Sequence, residues 1–129
     1  MATAGGEFGL REIGQIAVNV HDLNRAVGFY REVLGMRLLF QVPNLAFFEC
    51  GGIRLMLGPA EKPEFDHPGS ILYYRVPDIQ EAFKTLTARG ARFEGDPHQI
   101  ARMETHDLWM AFLRDSESNL LALMSEVPR

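Results

Sequence analysis

Gln15-Ile16-Ala17-Val18-Asn19-Val20-His21-Asp22-Leu23 and Ile71-Leu72-Tyr73-Tyr74-Arg75-Val76-Pro77-Asp78-Ile79 are the two stretches whose likeness decides the fold. They lie 56 residues apart, and at that spacing Val20/Val76, Asp22/Asp78 and Ala26/Ala82 coincide. The match then slips by one residue and resumes at a spacing of 55, with Gly35-Met36-Arg37 against Gly90-Ala91-Arg92. Self-similarity at a fixed period fixes architecture before any local propensity is weighed, and here it describes two copies of one unit.

Outward from the first copy, residues 14–20 alternate apolar Ile16, Val18 and Val20 with Gln15, Ala17 and Asn19, the period of a strand with unlike faces. Asp22 is placed to cap a helix carrying Ala26, Phe29, Tyr30, Val33 and Leu34 on one stripe, and Gly35 suits the turn that ends it. Strands are expected over 36–41, 45–49 and 53–57, the last two joined through Cys50-Gly51-Gly52 as a hairpin. Residues 58–69, with Pro59, Pro63 and Pro68 among charges, read as a linker. The second copy repeats the plan: a strand over 70–76, a helix over 78–89 ending at Gly90, a strand at 92–94, a polar loop through Pro97, and a hairpin of 108–114 and 119–125. Its last strand aligns with that of the first copy at a spacing of 67, as Ile53/Leu120, Leu55/Ala122 and Leu57/Met124. The expected fold is α+β, two βαβββ modules forming a curled mixed sheet. A flexible tail of residues 1–12 precedes a single domain over 13–129, divided into module one (13–58), the linker (58–69) and module two (70–126).

A chain of 129 residues builds one core, which the two copies must share. The net charge of −4 and pI near 5.5 speak against a phosphate-backbone partner, so no nucleic acid is expected. No apolar run approaches the roughly 20 residues of a membrane span. With Cys50 as the lone cysteine and no basic or apolar leader in Met1-Ala2-Thr3-Ala4-Gly5-Gly6, a cytoplasmic protein is expected.

The paired strand-Asp-helix openings, the phrase Phe29-Tyr30-Arg31-Glu32-Val33-Leu34-Gly35-Met36 and the closing turn Phe112-Leu113-Arg114-Asp115-Ser116-Glu117-Ser118-Asn119 together resemble the vicinal oxygen chelate superfamily, which includes glyoxalase I, bleomycin-resistance proteins and extradiol dioxygenases. The turn looks like that family's Phe-x-x-Asp-Pro-x-Gly-Asn with Pro and Gly replaced. The resemblance implies a cavity walled by each module, and in metal-dependent members a divalent ion held by the first and last strand of each. Those positions fall on Gln15, Leu55, Ile71 and Ala122, of which Gln15 alone carries a suitable donor. No metal or other cofactor is therefore expected, although a relocated site using His21, His67, His98 or His106 with Glu49 or Glu104 is an alternative.

The expected cavity face carries Gln15, Ala17, Asn19, Ile53, Leu55, Leu57, Ile71, Tyr73, Arg75, Leu120, Ala122 and Met124, an apolar wall with a few orienting polar groups. Gln15, Asn19, Leu55, Ile71, Tyr73, Arg75, Trp109 and Ala122 are the candidate ligand contacts; of Trp109 and Phe112, on opposite faces of one strand, at most one points inward. Arg75 stands out, since a guanidinium in such a wall calls for an anionic or carbonyl partner. The expected function is binding or sequestration of an aromatic, drug-like or carbonyl small molecule, and the resemblance implies a homodimer in which modules of different chains pair. The alternative is a metal-dependent lyase, isomerase or dioxygenase of the glyoxalase type.

Overall fold

The computed structural model describes residues 8–129. The first seven residues of the expected tail lie outside the described residues, and residues 8–14 are exposed and carry no strand or helix.

Module one runs β1 (Gln15–Asn19), α1 (Leu23–Gly28), β2 (Arg37–Val42), β3 (Leu45–Cys50) and β4 (Ile53–Gly58). Its sheet has the order β1-β4-β3-β2, with β1 and β4 parallel and the other pairs antiparallel. Module two runs β5 (Leu72–Arg75), α2 (Ile79–Ala88), β6 (Arg92–Phe93), β7 (His98–Arg102), β8 (His106–Arg114) and β9 (Leu120–Pro128). Its sheet has the order β5-β9-β8-β6, again with a parallel β5–β9 pair, and β7 also pairs with β8. The repeat is thus realised as two mixed sheets of like topology. Between the modules, a 3₁₀ turn spans Pro63–Phe65 in an otherwise exposed linker.

One correction concerns β7. The stretch read as a polar loop contains a strand, because Gln99 and His98 pair with Trp109 and Met110 of the long β8. It is an edge strand with almost nothing buried, so no apolar alternation marks it in the sequence.

The helices answer the one-residue slip in the repeat. α2 is regular α-helix throughout, whereas α1 continues into a π-helical stretch, Phe29–Val33, where Leu34 N donates to Phe29 O at 3.0 Å. The wider π turn absorbs one extra residue. It lies between Ala26, where the copies match at 56, and Gly35, where they match at 55. Both helices are capped as expected, Asp22 accepting from Arg25 N and Asp78 from Gln80 N and Glu81 N, each at 3.1 Å.

Each helix packs its stripe on its own sheet. Val20, Ala26, Tyr30, Ala46, Phe48, Leu55 and Leu57 form one buried cluster. Ile79, Leu86, Ala91, Ala111, Leu113, Leu121 and Leu123 form the other. Val33 and Leu34 reach the second cluster and Leu72 the first, so the modules share a seam.

The seam is built on the β8–β9 turn, Asp115 to Asn119. Asp115 is 1% exposed, and its carboxylate accepts from Tyr30 Oη (2.8 Å), Asn119 Nδ2 (3.0 Å), Glu117 N (2.8 Å) and Asn119 N (2.8 Å). Burial and the Asp115 charge push the Tyr30 hydroxyl far above the ordinary tyrosine range, so it stays a donor. Glu117 reaches the start of α1, accepting from His21 N (2.8 Å), Asp22 N (3.2 Å) and Arg25 Nη2 (3.0 Å). Burial works to raise the Glu117 carboxyl, and the hydrogen bonds from His21 N, Arg25 and Asp22 N outweigh it, so its pKa is lowered. A lowered carboxyl contributes stability that is complete above the ordinary value of 4.5 and is lost as pH falls through the lower folded value. Glu117→Gln is expected to flatten the acid limb of a urea-stability profile below about pH 4.5, and Glu117→Ala to cost about 2 kcal/mol at neutral pH. An acid limb identical to that of the parent protein would refute this account. Ser118, at φ 67°, holds the left-handed conformation that glycine adopts freely, at a cost of about 1 kcal/mol.

Candidate functional site

The face of each sheet turned away from its helix carries exposed side chains, Gln15, Ala17 and Arg54 in module one and Tyr73 and Arg75 in module two. In module one the parallel ladder sets Gln15 beside Arg54 and Ala17 beside Met56, and β3 adds Phe47 opposite Met56 and Glu49 opposite Arg54. These side chains are organised. Arg54 Nε donates to Gln15 Oε1 at 2.9 Å, and the guanidinium lies 5.4 Å from the centroid of the Phe47 ring. Phe47 in turn stacks on Phe40 at 4.5 Å and 23°. Gln15 Nε2 points to Met56 Sδ at 3.7 Å. The linker folds back over this wall, with Asn19 Nδ2 donating to Phe65 O at 2.7 Å. A cavity of about 770 Å³ results, with Gln15, Ala17, Asn19, Met56 and Phe65 among its lining.

Leu55 is a correction. It is 2% exposed and packs with Leu57 beneath α1, on the opposite face from Gln15. Ile16 pairs with Leu55, and its repeat equivalent Leu72 pairs with Leu121, so β4 and β9 correspond at a spacing of 66 rather than 67. A slip of one residue reverses the face of every side chain in a strand. Arg54 and Met56 therefore stand where Leu55 and Leu57 were expected, and Ile53 shifts with them. Arg54, absent from the expected set, is the best-placed cation of this face.

In module two the ladder sets Tyr73, Arg75, Ala122 and Met124 on one face, with Ala122 itself fully buried. Tyr73 is the ladder neighbour of Ala122 and Arg75 of Met124, and Phe112 lies opposite Ala122. The Tyr73 and Phe112 rings meet edge to face at 6.0 Å and 80°. Phe112 is thus the inward aromatic of β8, and Trp109 is corrected: it packs against the second core cluster. Arg75 is exposed and makes no ion pair among the described residues. Ile71 and Tyr73 are 38% and 45% exposed, large apolar surface for a wall of one molecule. Of the eight expected contacts, Gln15 and Asn19 lie on one wall, Ile71, Tyr73, Arg75 and Ala122 on the other, and Leu55 and Trp109 on neither.

The histidines are scattered. His21 meets Asp66 at 2.9 Å and is raised above its ordinary value chiefly by that hydrogen bond, which ties the linker to the end of β1. His67 contacts the Pro68 carbonyl, His98 the Asp96 carbonyl, and His106 lies 4.0 Å from Glu126. Glu49 accepts from Gly52 N at 2.7 Å, steadying the hairpin turn, where Gly51 and Gly52 both have positive φ. The Glu104 carbonyl accepts from Arg129.

The glyoxalase/bleomycin resistance protein/dioxygenase superfamily model matches residues 12–123. The chain belongs to that superfamily. Several solved structures superpose on it over nearly their whole length. A superfamily member from Sphaerobacter thermophilus is 24% identical with a TM-score of 0.75, the alignment covering 91% of this chain and 98% of that one. A lactoylglutathione lyase from Agrobacterium tumefaciens is 22% identical with a TM-score of 0.72, covering 88% and 92%. TioX from Micromonospora sp. ML1 is 22% identical with a TM-score of 0.72, covering 91% and 100%. At these identities the likeness is one of fold.

The metal-dependent chemistry of the superfamily can be tested against the donors present. With β4 in its observed register, the first and last strands offer Gln15, Met56, Ile71 and Ala122, with Arg54 beside Gln15. A hard divalent cation requires oxygen or imidazole donors, and a neighbouring guanidinium repels it. These residues do not fit such an ion. Among the described residues, no three His, Cys, Asp or Glu side chains come together in a metal-binding group. No helix among them is long and apolar enough to cross a membrane.

Proposed function

We propose that this superfamily member is a cytoplasmic, metal-free small-molecule binder whose exposed walls take a planar, anionic aromatic or carbonyl compound. The observation that carries this reading is the Gln15–Arg54–Phe47 arrangement: an exposed guanidinium held at 2.9 Å by an amide and set over an aromatic ring, with Gln15 also lining the neighbouring cavity of about 770 Å³. An apolar lining supplies affinity and a few fixed polar groups set orientation. Arginine, fixed as a fork, pairs with carboxylate geometry. The metal-free part of the reading is supported by the uncharged side chains Gln15, Met56, Ile71 and Ala122 on the first and last strands, with the Arg54 cation beside Gln15.

We further propose that the working unit is a homodimer, in which the Gln15–Arg54 wall of one chain closes on the Tyr73–Arg75–Phe112 wall of its partner. The exposure of Phe40 (48%), Tyr73 (45%) and Ile71 (38%) supports it, since one chain leaves both apolar walls open to water. Light scattering at micromolar concentration is expected to give twice the chain mass of 14.6 kDa, and a mass of 14.6 kDa would sink the dimer. A thermal-shift screen is expected to register aromatic carboxylates above neutral aromatics of equal size. The binder reading fails if protein purified without chelator carries one transition-metal ion per chain.

A further inference from the structure

The segment between the modules, residues 59–70, runs from the end of β4 towards the start of β5 as a strap with open space on both sides. On one side lies the cavity of about 770 Å³, which Phe65 helps to wall. On the other lies a more polar cavity of about 550 Å³, with His21, Asp66, His67 and Arg114 among its lining. Asn19 borders both. Pro59, Pro63 and Pro68 stiffen the strap, and its 3₁₀ turn bonds it to itself, Phe65 N donating to Lys62 O and Asp66 N to Pro63 O.

Little holds it to the rest of the chain. Residues 61–70 are all exposed, so nothing in that stretch is anchored in either core. Among the described residues its hydrogen bonds to the modules come from two side chains at the end of β1. Asn19 Nδ2 donates to Phe65 O at 2.7 Å, and His21 Nε2 meets the two Asp66 carboxylate oxygens at 3.0 and 2.9 Å. A segment with so few buried contacts opens at low free-energy cost. An exposed ion pair is weak in absolute terms, yet it can decide the position of a segment that has nothing else to bury.

We infer that residues 59–70 are a pH-sensitive strap, closed over the module-one cavity while His21 is an imidazolium paired with Asp66 and released when that charge is lost. Release takes Phe65 away from the cavity wall and joins the two spaces at Asn19, widening access to the cavity of the proposed binder. What the strap admits rests on that proposed function; its movement does not.

The charged groups around the His21 ring are Asp66 from the strap, Glu117 from the β8–β9 turn, 3.6 Å from Nδ1, and Asp22 and Arg25 from α1, with His67 and Arg114 on the same cavity. Glu117 is held by His21 N, Asp22 N and Arg25 Nη2 whatever the state of the ring, so it does not follow the switch. The hydrogen bond and charge of Asp66, with Glu117 adding, raise His21 above its ordinary 6.5 in the closed strap. In the open strap the ring loses Asp66 and returns towards that ordinary value. Closure is therefore favoured fully below 6.5, and the preference is lost as pH rises through the closed-state value.

The test is NMR of the isotope-labelled full chain with no ligand present, so that its failure belongs to the strap and not to the proposed function. The order of the backbone amides of Glu61, Lys62, Glu64, Phe65 and Asp66 is read from heteronuclear relaxation, and the Asn19–Phe65 bond from the Asn19 side-chain amide shift. Between about pH 6 and about pH 8.5 the open-to-closed ratio should rise about two- to fivefold, with the midpoint of the His21 titration. Asp66→Asn and His21→Gln, both at exposed positions, should leave the strap open to that extent at either pH without lowering the melting temperature. His67→Gln should keep the pH response of the parent chain. The inference is overturned if the strap amides are equally ordered at both pH values in the parent chain, if they stay as ordered in Asp66→Asn and His21→Gln as in the parent at the lower pH, or if His67→Gln abolishes the response.

Discussion

Asp115→Ala is expected to cost about 3–5 kcal/mol of folding free energy, the largest stability loss of any single polar substitution in this chain. Four donors converge on that carboxylate, three of them within the turn and the fourth, Tyr30 Oη, from the other module. Truncation leaves all four inside a dry seam, so the loss includes their desolvation as well as the bonds. A domain of this size has about 5–15 kcal/mol in total, so the variant would melt near working temperature. Tyr30→Phe removes one bond and leaves Asn119 Nδ2 on the same oxygen; about 1–2 kcal/mol is expected. Urea denaturation at 25 °C of both variants measures the difference. If Asp115→Ala lost less than about 1 kcal/mol, the seam would be held by apolar packing and the carboxylate would be incidental.

Arg54→Glu is expected to reduce the affinity for an aromatic carboxylate by more than about a hundredfold, because it removes a charge-assisted pair and sets a like charge against the ligand. The variant also places a second carboxylate opposite Glu49 on the neighbouring strand, while Gln15 loses its donor. Arg54 is exposed, so the fold should tolerate the change and the effect should appear in binding alone. Arg75→Ala tests the facing wall and should weaken binding about tenfold or more if that wall closes on the same ligand. Calorimetric titration of benzoate or a larger aryl carboxylate decides it. Undiminished affinity in Arg54→Glu would move the anion site elsewhere, and an Arg75→Ala effect without an Arg54 effect would place it on module two alone.

The repeat made the architecture legible because it encodes both the helix caps and the strand order, each of which depends on residues close in sequence. Asp22, Asp78 and the two helix-ending glycines could be assigned from type and position alone; Gly35 and Gly90 have positive φ, as expected. The facing of β4 was not legible. Residues 53–57 read Ile-Arg-Leu-Met-Leu, and the pairing of Leu55 with Ile16, set by the parallel ladder, is what sends the two leucines to the core and Arg54 to the exposed face beside Gln15. Trp109 and Phe112 were undecidable for the same reason, since strand parity is fixed only by the partner strand. The polar edge strand β7 carries no periodic signal at all.

The π turn in the first helix has a consequence for whether the two halves of this protein could trade places. Its extra residue belongs to the module that presents Tyr30 to the seam, and the five-residue acidic turn belongs to the module that receives it. At the repeat spacing of 56 the second helix has Leu86 in place of Tyr30, with no hydroxyl to offer. A chain assembled from two first modules would aim a tyrosine at a Gly-Gly hairpin, and one assembled from two second modules would bury a carboxylate against leucine. The halves share one outline but are lock and key, and only the unlike pairing closes.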